Sequence, residues 1–348
     1  MPDRYALDEA MLWSRRSILK VGLAGTAVIG GAIALRALWQ PRSQSVQVPQ
    51  SPDLAIAEPK GFTPLTTLRQ FDYGTVTTEN GRTVREFRVE AQTSAVQLNS
   101  ATSFITWNLN GRVPGPTFRA TEGDRIRVIF YNRAGHSHSL NFHGVHKSEM
   151  DGIKPVRNGS VFIYEFDAEP FGVHLYHCHI APVTRHIGKG LYGMFIIDPP
   201  TPRPPADEIV LIMAGYDVND DQKNELYAFN GMPNYYMNHP IRIQKDQLIR
   251  LYVLNMIEFD PVATFHLHAN LFQVYRTGRH LQPDDETDVI TMGTAERHIL
   301  EFAYRYPGKF MFHPHQDDIA EAGCMGLFEV VDRTASIAPS DMTEPHAM

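Results

Sequence analysis

The chain has 348 residues, of which 43% are hydrophobic and 20% charged, with a formal net charge of −7. That length accommodates two ordinary domains with cores of their own, and the acidic balance argues against nucleic acid as a main partner. Two cysteines, Cys178 and Cys324, allow at most one disulfide, whereas sixteen histidines, most of them in a few tight clusters, invite a metal.

In chain order the first expected element is an export leader. Ser14-Arg15-Arg16-Ser17-Ile18-Leu19-Lys20 followed by the apolar run Val21 to Leu35 has the pattern of a twin-arginine signal. Residues 1–38 are expected to be this signal or a membrane anchor, although the run is short for a membrane span. The expected location is therefore periplasmic or otherwise extracytoplasmic. Residues 39–84 are expected to be a linker and N-terminal extension, because 40–60 are rich in Pro, Ser and Gln.

The rest of the chain is a repeat. "WNLNGRVPGPTFRATEGDRIRVIFYN", "HSLNFHG", "YEFDAEPFGVHLYHCHI" and "GLYGMFIIDPP" are answered in order by "YAFNGMPNYYMNHPIRIQKDQLIRLYVLN", "TFHLHAN", "LEFAYRYPGKFMFHPHQ" and "GCMGLFEVVD". Each copy is a series of short runs rich in Val, Ile, Phe and Tyr, broken by Gly, Pro and Asn. Runs such as "RIRVIF" and "LIRLYVL" alternate. This predicts an all-β chain of two tandem antiparallel sandwiches. The expected domains are 85–200 and 201–333, divided at the proline-rich 198–208 and followed by a tail, 334–348.

The chemistry centres on His177-Cys178-His179. Neighbouring residues of a strand face opposite sides, so the sulfur points one way and both imidazoles the other. Cys178 with His138 and His186 makes the thiolate-plus-two-imidazole set of a blue-copper centre. His143, the pair His266/His268 and the pair His313/His315 are expected to build a second metal site with His177 and His179, since each His-x-His sets two imidazoles on one face.

On these motifs the chain, from about residue 85 to 332, resembles the two-domain multicopper oxidases, relatives of laccases and copper nitrite reductases. The resemblance implies the cupredoxin-like Greek-key sandwich and copper as cofactor. It implies a type 1 copper in the first domain and a trinuclear type 2/type 3 cluster that reduces dioxygen to water. Carried over by position, His138, Cys178 and His186 are type 1 ligands. His266 is a type 2 ligand. His143, His177, His179, His268, His313 and His315 are type 3 ligands. Asn141 stands where the second type 2 histidine is expected, and Asp151 corresponds to a proton-relay acid. Pro314 replaces the cysteine in the second copy, which therefore holds no type 1 copper. The family's step of five residues from the ligating histidine reaches Leu191 as the axial residue. Aligning "GLYGMF" with "GCMGLF" sets Leu191 opposite Cys324 and favours Met194 as a core residue, with Met194 as the alternative axial residue, and no disulfide is expected. The cluster closes between chains in this family, which implies a homotrimer.

His136 and His146 are expected at the rim of the site, His174 in packing, and His239, His280 and His298 on the surface. The leading function is an exported oxidase with a phenol, metal ion or small redox protein as electron donor. Asn141 and the eight-residue step from Cys178 to His186 keep two alternatives open. One is nitrite reduction to nitric oxide at a single type 2 copper. The other is a copper-binding or electron-transfer protein whose type 2 site is weakened.

Overall fold

The computed structural model describes residues 63–260 and 262–333. The twin-arginine segment, the linker before residue 63 and the tail from residue 334 lie outside the described residues. Two β-sandwiches follow one another. In the first, one sheet runs Phe71–Asp72, Thr117–Thr121, Tyr192–Asp198, Gly172–His177, Asn141–Phe142. The other runs Thr75–Glu79, Arg82–Gln97, Arg125–Asn132, Val161–Asp167, with Ser103–Leu109 also paired to Arg82–Gln97. The second sandwich repeats this plan. The parallel pair Thr117–Thr121 with Tyr192–Asp198 reappears as Ile241–Gln244 with Gly326–Val331. The parallel pair Arg82–Gln97 with Arg125–Asn132 reappears as Asp207–Tyr216 with Ile249–Asn255.

The alternation in Arg125–Asn132 is a true inside–outside pattern, with Ile126, Val128 and Phe130 buried. Ile249–Asn255 behaves differently, because every residue in it is buried. Leu251 and Val253 enter the second sandwich's own core. Tyr252 and Leu254 pack outward onto Leu175, Tyr192, Met194 and Ile196 of the first sandwich. A third apolar layer thus joins the two domains, and it buries faces that an isolated sandwich would give to water.

Two expectations change. Residues 63–84 are not a loose extension. Leu68 of the helix Pro64–Arg69 is fully buried in the second domain's core, and Phe71 pairs with Thr117. His298 is not on the surface. It is 2% exposed, mid-sheet, opposite Val253 and Arg276. Both errors have one cause, since what buries these residues lies far away in sequence. His239 and His280 are exposed as expected, and both cysteines are free. Among the described residues no helix is long and apolar enough to cross a membrane.

Candidate metal centre

His138 enters through backbone exchange with Val156, its N–H donating to Val156 O at 3.1 Å and its O accepting from Val156 N at 2.8 Å. Cys178 directly follows the strand Gly172–His177, and His186 sits on the short helix Val183–Gly188. The loop after that helix turns back, so that the Leu191 N–H donates to His186 O and Leu191 O accepts the Cys178 N–H. The result is a buried triad. The two Nδ1 atoms of His138 and His186 are 3.1 Å apart, and Cys178 Sγ lies 3.7 Å and 3.1 Å from them. Leu191 shares the core of Cys178, whereas Met194 lies on the opposite sheet face, in the layer between the domains.

Burial sets the protonation of this triad. It pushes His138 down to about 3, helped by His186 and His136, and His186 down to about 4. Both rings are therefore neutral at pH 7, with lone pairs available. The Cys178 thiol is pushed up by burial, partly offset by hydrogen bonds from the backbone of Ile180 and Ser139. A bound cation reverses that preference. The two Nδ1 atoms face each other beside a sulfur, and His138 Nε2 is buried with no partner among the described residues. This donor set fits copper held by a thiolate and two imidazoles.

The other imidazoles form two half-sites. In the first, His143 Nε2 and His177 Nε2 are 2.8 Å apart, and the His179 ring lies 5.9 Å from that of His177. In the second, His268 Nε2 and His313 Nε2 are 3.0 Å apart, and the ring centroids of His266 and His315 lie 5.3 Å apart nearby. Backbone carbonyls fix the tautomers. The Nδ1–H groups of His177, His313 and His266 donate to the carbonyls of Cys178, Pro314 and Asp288. Each Nε2 lone pair is thereby turned toward the site, as a metal requires. Burial holds His143 down at about 4. Among the described residues no hydrogen bond or ring contact links the two half-sites.

Asn141 pairs with His177, and His266 pairs with His313, so the two positions are equivalent in register. The amide is engaged elsewhere. Asn141 Nδ2 donates to Asp151 O at 2.8 Å and to Asp151 Oδ1 at 3.0 Å, and contacts His146 Nε2 at 3.0 Å. His146 Nδ1–H donates to Lys147 O, which leaves its Nε2 as acceptor. A tight turn makes this possible, because Gly152 has φ +77° and packs so closely on Leu140 O that a side chain there would collide.

The repeat also exposes residues to which the sequence reading gave no role. Ser139 Oγ accepts the His179 N–H, as Thr264 Oγ1 accepts that of His315. Beside Pro314 and Cys324, already matched to Cys178 and Leu191, the second copy has Ala263 and Ile319 in the places of His138 and His186, all of them buried. Alignment of the copies residue by residue would have found this. Trp107, which contacts His136, His138 and His186, had no signal beyond its place at the start of the first repeat segment.

Comparison with known proteins agrees in direction. Family models described as multicopper oxidase match residues 90–202 and 202–334. The chain is 24% identical over 252 residues to the copper-containing nitrite reductase of Neisseria gonorrhoeae, covering 66% of this chain and 63% of that protein. It is 25% identical over 260 residues to laccase-12 of Oryza sativa subsp. japonica, covering 64% and 44%. It therefore spans less than two thirds of the length of these curated relatives. A solved multicopper oxidase superposes with a TM-score of 0.77 at 45% identity, covering 78% of this chain and 98% of that one. The blue copper oxidase of Nitrosomonas europaea superposes with a TM-score of 0.64 at 26% identity, covering 71% and 86%.

Proposed function

Because the chain belongs to the multicopper oxidase family, we propose that it is an exported copper oxidase that takes single electrons from a reductant and delivers them to dioxygen, forming water. The observation that carries this is the His177-Cys178-His179 strand end. Its sulfur lies in the buried triad, and His177 faces His143 in the first imidazole half-site. Copper, when bound, supplies the one-electron chemistry. His138, Cys178 and His186 would hold the type 1 ion, with the apolar Leu191 packed in the same core as Cys178 and burial keeping water away. His143, His177, His179, His268, His313 and His315 would hold the type 3 pair and His266 a type 2 ion, with Asn141 at the corresponding position of the first half-site. Asp151, whose Oδ1 accepts a hydrogen bond from Asn141, would be the proton relay for dioxygen reduction.

Two further readings belong with this one. A homotrimer closes each site, because the half-sites are separate within one chain and His268 and His315 are exposed. A cyclic arrangement brings the second half-site of one copy to the first of the next. Export by the twin-arginine route, with or without a retained anchor, accounts for the leader motif. The donor remains a phenol, a metal ion or a small redox protein. A cleft of about 250 Å³ lies against Arg185 and Lys189, beside the helix that carries His186.

Nitrite reduction is the second reading, favoured by Asn141, whose amide is turned to Asp151 and leaves His266 without an equivalent imidazole in the first half-site. One experiment separates the possibilities: copper content, electron paramagnetic resonance, dioxygen uptake and nitric oxide production of the copper-loaded chain with a common donor. One type 1 plus three cluster coppers per chain with dioxygen uptake is the expected result. Two coppers per chain with nitric oxide from nitrite would replace the oxidase by the reductase. A type 1 signal with neither turnover would leave an electron-transfer protein.

A further inference from the structure

The His138 ring is fully buried, and its Nε2 meets no hydrogen-bond partner among the described residues. Its Nδ1 faces Cys178 and His186, so the neutral ring carries its proton on Nε2 when Nδ1 holds a metal. A metal-bound imidazole ordinarily gives its outer N–H to a carboxylate, a carbonyl or water, which makes it a stronger donor. Here that acceptor is missing. What stands over the triad instead is Trp107. Its ring centroid lies 5.3 Å from that of His138, 4.8 Å from that of His186 and 5.1 Å from that of the exposed His136. The main chain that carries the ring is tied to the same helix, because the backbone N–H of Trp107 donates to Lys189 O at 2.9 Å, just past the helix that carries His186. The second copy, which lacks the triad, has Tyr227 at this position, with its hydroxyl committed to Asp260.

We propose that Trp107 is a positioning residue for the type 1 centre: its indole seals both imidazoles from water and keeps the outer N–H of His138 without an acceptor, which holds the reduction potential high. An unassisted imidazole in a dry shell stabilises the oxidised ion less than one hydrogen-bonded to water. Opening the seal therefore favours the oxidised state. The inference rests on reading the triad as type 1 copper.

The test uses the copper-loaded full chain. In Trp107→Leu the thiolate-to-copper absorption band persists, while the potential falls by about 59 mV, a tenfold change in a one-electron equilibrium. Trp107→Phe, which keeps a ring in place, stays within a threefold change. Pulsed paramagnetic resonance of the wild-type chain transferred to D2O shows no promptly exchanging proton on His138, and the Leu variant shows one. An intact band with unchanged or raised potential in Trp107→Leu would overturn the proposal. So would prompt exchange in the wild type, which decides the matter even if the Leu variant does not load copper. Absence of the band in the wild type would instead sink the type 1 reading, and the proposal with it.

Discussion

At the scale of single residues, Asn141 and Leu191 decide the most. Asn141 stands opposite His177 just as His266 stands opposite His313, yet it offers an amide where the second copy offers an imidazole. An amide is a poor copper ligand beside imidazole, and this one is turned toward Asp151 and His146. Asn141→His adds the missing lone pair. The type 2 paramagnetic signal should strengthen and dioxygen uptake should rise about tenfold; an unchanged copper count and rate would show that the amide itself is what the site uses. Leu191 and Met194 make a paired test. Leu191→Met puts a thioether next to Cys178 and should lower the type 1 potential. Met194→Leu should leave both potential and absorption band unchanged, because Met194 packs between the domains. A shift with Met194→Leu alone would reverse the assignment.

At the scale of elements, strand geometry explains why the histidines work in pairs and why one is buried alone. His-x-His at a strand end sets both rings on one face, and the backbone carbonyl of the residue between them takes the Nδ1–H of the first ring. That leaves the next ring nitrogen facing the site with no contribution from distant residues. His298, on Arg297–Phe302, is held by the sheet itself. Burial pushes it from 6.5 down to about 4. Between those pH values the unfolded chain binds the proton that the folded chain refuses, so stability falls as pH drops from 6.5 and levels off below 4. The share of His298 is about 3 kcal/mol. Urea unfolding of the copper-free chain at pH 7 and pH 4.5 should show this loss, smaller in His298→Leu by that share. An equal loss in the variant would place the titration on other histidines.

At the scale of the whole molecule, arginines tie the two sandwiches: Arg279 donates to Phe171 O and Arg297 to Val173 O, and Arg119 makes the most bonds. Arg119 donates to both oxygens of Asp198, at the end of the first, and to both of Glu208, at the start of the second, over distances of 2.6–3.0 Å. Its guanidinium also covers the Phe71 ring at 4.7 Å. These carboxylates hold its charge firmly in place despite burial. Arg119→Met leaves two acids facing each other at the domain junction. It should cost about 3 kcal/mol of stability, read as a lower denaturant midpoint. A change below about 1 kcal/mol would mean that the apolar layer and the remaining arginine bridges fix the domains without Arg119.

The metal chemistry was legible in the sequence because it depends on residue type and short spacing. Alternation put Cys178 and its flanking imidazoles on opposite faces, and internal repetition put Leu191 opposite Cys324 without any coordinates. The fold class followed from the same short, alternating runs. Tertiary structure alone decided what depends on contacts between distant segments. It buried Leu68 under the second core, drew His298 into a sheet, brought Asp151 onto Asn141 through the turn at Gly152, and laid Trp107 over His138. A local pattern reports which face of an element is apolar, but what comes to cover that face is settled only when the two sandwiches pack.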